Sequence, residues 1–385
     1  MSYFSPTKER SRDLIPSLAV SEAPAADASL NQRNNFIQYL RGYAALMVVL
    51  DHSMLRLARL NARDRWMDTY AGDLGALGVE IFFVISGFIM VSIAYDAFGR
   101  TGATVKFWTD RLTRIAPLYY LATALVLILP PLLGGTSFAP RHIIASLLFL
   151  PTDARPDQGA LAPVLGVGWT LNYEMFFYML FGVSLLMPRR IGLGFTFATL
   201  FALVLLGQVL ERTTGLQPRS LGYFYTFHIM LLFALGMLLG LWRRSRWFRV
   251  VHLPAPAEIG VGLCLIVLVA LNMTMPGVYP IWRTSLFYAM SGLAVLLTIA
   301  AAPRPRRPFA ELLGNASFSI YLFHGLALTL VALAWVPLFG FRYSFGRVAV
   351  SLLAGGGIGI LAYRFVEQPI VRLLKPWSRQ ARTAS

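Results

Sequence analysis

Charge is scarce in this chain of 385 residues: 14% are Asp, Glu, Lys or Arg, 57% are apolar, and mean hydropathy is +0.61. That composition excludes an ordinary soluble enzyme and indicates a polytopic membrane protein. Acidic residues are the scarcer sign, 18 against 34 Lys and Arg. The cations lie mostly in short segments between apolar runs, which points to membrane topology and an anionic cytosolic ligand before nucleic acid. The single cysteine, Cys264, excludes an internal disulfide and reads as a small buried residue. No two histidines have a metal-ligand spacing, and there is no Gly-rich phosphate loop or Gly-x-Ser-x-Gly elbow. Metal and serine-hydrolase chemistry are therefore disfavoured. Residues 1–35 contain no apolar stretch of signal-peptide length; they are rich in Ser, Ala and Pro and are expected to form a disordered cytosolic tail. No internal repeat is visible, which weakens an inverted-repeat transporter.

What the chain does have is apolar runs of spanning length. The first is 36–57, FIQYLRGYAALMVVLDHSMLRL, followed by 76–95, 114–134, 166–187, 191–210, 223–242, 258–275, 282–301, 315–336 and 347–366. The expected fold is thus all-α, a bundle of about ten transmembrane helices over 36–375, with no soluble domain and a short cytosolic tail at 376–385. Placing residue 1 in the cytosol makes the connecting segments 96–113, 188–190, 243–257, 302–314 and 367–385 internal, and all are net basic. That satisfies the positive-inside rule with both termini cytosolic. The apolar piece 142–150 is too short to cross and is expected to be interfacial or re-entrant.

Within these runs a few ionisable residues stand out, because they are expensive in a bilayer and usually mark function. Arg41 and His52 share the first helix; eleven positions bring them within about 20° of one face, separated by roughly 16 Å. Asp51 points about 100° from that stripe, so it is a less natural partner for His52 than its adjacency suggests. Arg111 and Arg114, three apart on one helix face, make a two-guanidinium clamp suited to phosphate. Glu80 and Glu174 are expected in the outer half, each roughly five to nine residues inside a boundary, where a carboxylate needs a partner such as His52. His228 and His324 read first as satisfied packing residues on aromatic helices.

Cations toward the cytosol and a titratable base toward the outside suit an activated anionic donor entering from within and an acceptor hydroxyl presented outside. An acyl-CoA fits the donor role. Two other readings share these residues: a proton-coupled transporter or flippase for a glycan or anionic solute, and a structural subunit of a polysaccharide assembly complex.

The motifs as a set resemble membrane-bound acyltransferase family 3, particularly its exopolysaccharide-production acetyltransferases. YLRGYAALMVVLDH resembles the family's basic residue, ten intervening residues and histidine, here Arg41 and His52. LGVEIFFVISGFIM carries Glu80, RLTRIAPLYY supplies Arg111 and Arg114 as Arg-x-x-Arg, and GWTLNYEMFFY carries Glu174. SFSIYLFHG resembles the penultimate helix and YRFVEQP the final one, with Glu367 and Pro369. The resemblance implies O-acyl, usually acetyl, transfer from cytosolic acetyl-CoA to a sugar hydroxyl of an exopolysaccharide or lipid-linked glycan at the outer face of the bacterial inner membrane. It further implies acyl-CoA as a co-substrate, no permanently bound cofactor, contact with membrane lipids and no nucleic-acid partner. On this reading His52 is the general base, Glu174 or Glu80 orients it, and Arg111 and Arg114 bind donor phosphates. Arg41 contacts the donor or fixes its helix, and direct transfer and an acyl-histidine intermediate both stay open.

Overall fold

The computed structural model describes residues 35–60, 64, 67, 71–132, 137–155, 161–217, 219–250, 280–301, 307–340 and 342–380. The expected span 258–275, Cys264, residues 1–34 of the expected N-terminal tail and residues 381–385 lie outside the described residues. Among the described residues the regular structure is helical, with one isolated bridge between Asp153 and Ala162. The helices are α1 (Asn35–Leu60), α2 (Asp73–Ala94), α3 (Ala103–Leu132), α4 (Pro140–Leu147), α5 (Trp169–Ser184), α6 (Arg189–Thr214) and α7 (Leu221–Thr226). They continue as α8 (Leu231–Arg243), α9 (Pro280–Ala300), α10 (Pro308–Asn315), α11 (Ser317–Phe339), α12 (Ser344–Ala362) and α13 (Gln368–Gln380).

Every expected span outside 258–275 falls on helix, but spanning length and hydropathy are met by six stretches of the described residues. These are α2, Ala103–Leu129, α6, Leu221–Arg243, α11 and Ser344–Leu374, with Ser285–Ala300 a shorter apolar helix. α1 is 26 residues long and polar at several positions, whereas α5 has only 16 residues and is entered through a 3₁₀ turn at Gly166–Gly168. The short apolar piece becomes α4, which packs back on α3: the Tyr119 hydroxyl donates to Ser146 O at 3.2 Å, and Ser146 Oγ accepts from Val164 N at 2.9 Å.

Leu186, Leu205, Leu338, Leu353 and Phe365 are exposed, which is the outward apolar surface expected of helices that face lipid. With no hydrophobic drive between helices in lipid, close approach through small residues supplies the packing. α2 and α8 meet this way: a Cβ on Gly87 would fall on the Phe233 carbonyl, and one on Gly236 on the Val84 carbonyl. α1 lies beside α2, α9, α10, α11 and α12, so a polar residue on almost any of its faces meets protein.

Three departures from regular helix prepare the site. The expected span 223–242 is broken at Phe227, which is extended, and continues as a 3₁₀ turn over His228–Met230. Thr226 Oγ1 bonds back to Gly222 O at 2.7 Å, a side-chain bond that competes with the helical ladder at this point. α5 likewise starts at Trp169 only after its 3₁₀ turn. Between α12 and α13 lies a π-turn, Tyr363–Glu367, closed by the Gln368 amide on Tyr363 O. Pro369 follows it and, lacking an N–H, cannot extend the regular ladder.

The α2–α8 contact can be tested directly. Gly236→Val should lower the unfolding midpoint of the detergent-solubilised protein, with about 1–3 kcal/mol of overpacking against an unyielding carbonyl. Gly194→Ala, where a Cβ meets nothing within 4 Å, should leave the midpoint unchanged or slightly raised. Equal midpoints for the two variants would contradict the packing.

Candidate active site

Three cavities follow one another along α1. At its N-terminal end a vestibule of about 590 Å³ is lined by Arg41 from α1, Arg111 and Arg114 from α3, and Arg372 from α13. Asp110 and Glu367 also reach it. Glu367 is buried and accepts from Ser319 Oγ at 2.6 Å, so the π-turn carboxylate is held to α11. Arg41 Nη1 donates to Gln38 Oε1 at 3.3 Å, within its own helix. Arg111 lies 5.9 Å from the ring centroids of both Phe107 and Tyr178, and its Nε is buried without a hydrogen-bond partner among the described residues. A buried guanidinium nitrogen with no acceptor is what an anionic ligand would satisfy.

The same three arginines, Arg41, Arg111 and Arg114, also line a middle cavity of about 110 Å³ with Glu174, Tyr178, Ser86 and Ser317. Glu174 Oε1 accepts from Ser86 Oγ at 3.1 Å and from the Tyr178 hydroxyl one turn along α5. Ser317 Oγ is buried and unpartnered among the described residues. Val79 and Tyr321 line both this cavity and the next, so they form the neck between them. Tyr321 is fixed there by Thr170 Oγ1 at 2.8 Å and by donation to Val167 O at 2.9 Å.

Beyond the neck a chamber of about 590 Å³ contains His52 and Glu80, faced by Trp169, His228 and Tyr288. His52 Nδ1 lies 2.9 Å from Val48 O. A carbonyl only accepts, so in the neutral ring Nδ1 carries the hydrogen and Nε2 holds the free lone pair. His324 repeats the device with Nδ1 at 2.7 Å from Tyr321 O, and its ring lies 5.0 Å from that of His52. His228 Nδ1 is 2.6 Å from the Tyr288 hydroxyl. The breaks at Trp169 and Phe227 fall at this chamber, which is where irregular backbone is tolerated at membrane depth.

The structure thus brings Arg41, Arg111 and Arg114 together, and brings Glu80 to the cavity of His52. It separates Glu174 from His52 and places that carboxylate among the arginines, correcting the expectation of a shared outer depth. The physical reason is that α5 begins within the bundle: Trp169 already lines the histidine chamber, and Glu174 lies about 7.5 Å further along the helix. Nor is Glu80 bonded to the imidazole; it accepts from Ser291 Oγ at 2.8 Å. The carboxylate near His52 is Asp51, with Oδ2 at 3.9 Å from Nδ1. Asp51 Oδ1 accepts the amides of Gly72 and Gly75, the latter at 3.1 Å, and so caps the first turn of α2 from a neighbouring helix. A Cβ on Gly75 would lie 2.6 Å from Asp51 Cγ, so only glycine admits this clamp.

Arg372, Tyr178 and Tyr321 are the residues that sequence reasoning passed over; Asp51 was weighed only as a partner for His52, not as the clamp on α2. For Arg372 a signal existed: Gln368, Val371 and Arg372 follow the i, i+3, i+4 spacing of one helix face, and all three line the vestibule.

Among the described residues, the helical bundle thus gathers arginines at one end of α1 and carries the His52 imidazole in a chamber toward the other. Residues 34–363 match the acyltransferase domain family, and the chain belongs to it. The exopolysaccharide production protein ExoZ of Rhizobium meliloti is 35% identical over 311 residues, covering 78% of this chain and 90% of that protein. Nodulation protein 10 of Rhizobium leguminosarum is 27% identical over 91% of this chain and 96% of its own length. The O-acetyltransferase OatA of Staphylococcus aureus is 25% identical over 86% of this chain, which spans 56% of that longer protein. No solved structure matches the chain.

The clamp and the arginines should separate kinetically. Asp51→Asn keeps the acceptor for the two amides and removes the charge beside His52, so kcat should fall about tenfold or more with KM for the acyl donor unchanged. Arg111→Ala should raise that KM about tenfold, the worth of one charged hydrogen bond. An Asp51→Asn enzyme of wild-type kcat would remove Asp51 from this role.

Proposed function

We propose that this acyltransferase moves an acyl group, most simply acetyl, from acyl-CoA to a sugar hydroxyl of an exopolysaccharide or lipid-linked glycan. The observation that carries the reading is the run of cavities from the arginine vestibule through the Val79–Tyr321 neck to His52. The nucleotide phosphates of the donor would lie among Arg41, Arg111, Arg114 and Arg372. The pantetheine arm is slender and largely uncharged, and would follow the middle cavity past Glu174. The thioester would then reach the neck, and His52 Nε2 would take the proton of the acceptor hydroxyl as that oxygen attacks the acyl carbon. The new ester forms as the carbon–sulfur bond breaks, and the proton held by the imidazole passes to the CoA thiolate.

Asp51 supports the imidazolium at 3.9 Å while its other oxygen fixes α1 against α2. Glu80, held by Ser291, faces the acceptor side of the chamber. Glu174 lies on the donor side and, through Ser86 and Tyr178, sets the wall past which the arm runs. An acyl-histidine intermediate would use the same free Nε2, so both routes place the chemistry at one atom.

The arginine vestibule belongs on the cytosolic side, where acyl-CoA is found and where the basic connecting segments favour retention. Both termini would then be cytosolic and the protein would reside in the bacterial inner membrane. The name of ExoZ supports an exopolysaccharide acceptor, and that of OatA supports O-acetyl transfer. Family membership makes the chain an acyltransferase, so the transporter reading is not carried further.

The decisive comparison is mass spectrometry of the glycan from matched strains carrying the wild type, His52→Ala or an empty vector, at equal membrane protein levels. An acyl mass increment present only with the wild type is the expected result. Identical decoration in all three strains would contradict the proposed function.

A further inference from the structure

We propose that Ser317 is a binding residue for the acyl donor: its hydroxyl donates to the carbonyl oxygen of the pantetheine amide nearest the thiol, and so sets how far the thioester advances toward His52. This rests on the acyl-transfer reading given above and deepens it by naming the contact that holds the arm.

Ser317 opens α11, lines the middle cavity and is fully buried, yet its Oγ has no hydrogen-bond partner among the described residues. The other hydroxyls described along that cavity are engaged with the protein. Ser86 and Tyr178 donate to Glu174 Oε1, Thr170 Oγ1 bonds the Tyr321 hydroxyl, and that hydroxyl donates to Val167 O. Burying a hydroxyl without a partner is costly, so one left open on a cavity wall calls for a ligand that supplies the acceptor. The Arg111 Nε, on the same cavity and likewise buried without a partner, makes a second such donor.

The register of the arm follows from helix geometry. Ser317 and Tyr321 are four apart on α11, so they share a face, with Ser317 about 6 Å from the neck on the arginine side. In an extended arm the carbon of the thiol-proximal amide lies five bonds from the thioester carbon, which at extended-chain spacing is also about 6 Å. A thioester at the neck therefore brings that amide level with Ser317, while the distal amide and the phosphates lie further toward the arginines. A neutral hydroxyl suits a neutral carbonyl, as guanidinium groups suit phosphate. Phe82, Ile89 and Ile115 give the cavity an apolar wall for the methylenes between the amides.

The test uses full-length protein in nanodiscs, isolated exopolysaccharide as acceptor, and acetyl-CoA beside analogues altered at one pantetheine amide. In one analogue the amide becomes an ester, which keeps the carbonyl; in the other it becomes a trans-alkene, which removes it. At the thiol-proximal amide the wild type should favour the ester over the alkene by about tenfold in kcat/KM, the worth of one hydrogen bond from a buried hydroxyl. Ser317→Ala should bring that ratio to about twofold or less and leave the ratio at the distal amide as in the wild type. It should also keep the wild-type unfolding midpoint, since the hydroxyl has no bond within the described protein to lose. A wild-type ratio near one, a ratio that Ser317→Ala leaves unmoved, or an effect at the distal amide instead would overturn the proposal. So would a lowered midpoint, or loss of transfer from every donor, in Ser317→Ala. Absence of transfer from acetyl-CoA itself in the wild type would overturn the underlying acyl-transfer reading instead.

Discussion

An ionisable group inside an apolar bundle persists only where the protein supplies its partners, and this requirement shapes the centre of the structure. The Asp51 clamp is its clearest expression. The carboxylate meets two backbone amides that the first turn of α2 leaves without helical acceptors, and the amides in turn make a buried charge tolerable. Because Gly75 bears no side chain, α1 and α2 come close enough for that exchange. His52 follows Asp51 in the chain, so fixing one fixes the depth of the other. His52, its nearby charge and the register of two central helices are therefore a single arrangement.

From that fixed point the polar groups divide by depth. Ser291, Ser86 and Ser319, on three different helices, each donate to one carboxylate: Glu80, Glu174 and Glu367 respectively. Each pair marks a different cavity along α1. Serine suits this work because it offers a hydroxyl donor in a volume small enough for helix–helix contact. The result is a succession of held carboxylates with arginines at one end, and cavities whose lining changes from arginines to His52 across the Val79–Tyr321 neck.

The helices were legible in the sequence because a bilayer demands long apolar runs, and those runs were present. The Arg41–His52 stripe was legible for the same reason, since both residues lie on one uninterrupted helix where angular spacing holds. Glu174 was not, because its depth depends on where α5 starts, and the 3₁₀ turn at Gly166–Gly168 carries no strong sequence mark. The break at Phe227 was hidden in the same way, within a run whose mean hydropathy is 2.0. The helical angle rightly turned Asp51 away from His52, whose Nδ1 is bonded to Val48 O, and toward the amides of Gly72 and Gly75. An aspartate pointing away from His52 toward a neighbouring helix end still keeps one oxygen within 4 Å of the ring. Such partnerships join distant segments, and nothing local in the sequence announces them.

The central claim is that one passage joins a donor site at the arginine end to a base at the other side of the neck, so that donor and acceptor meet from opposite faces of the membrane. The direct measurement is transfer in sealed proteoliposomes with acetyl-CoA trapped in the lumen and acceptor glycan supplied only outside. Acetylated glycan accumulating outside while free CoA accumulates inside is the predicted result. Transfer that occurs only when both substrates occupy the same compartment would contradict the account.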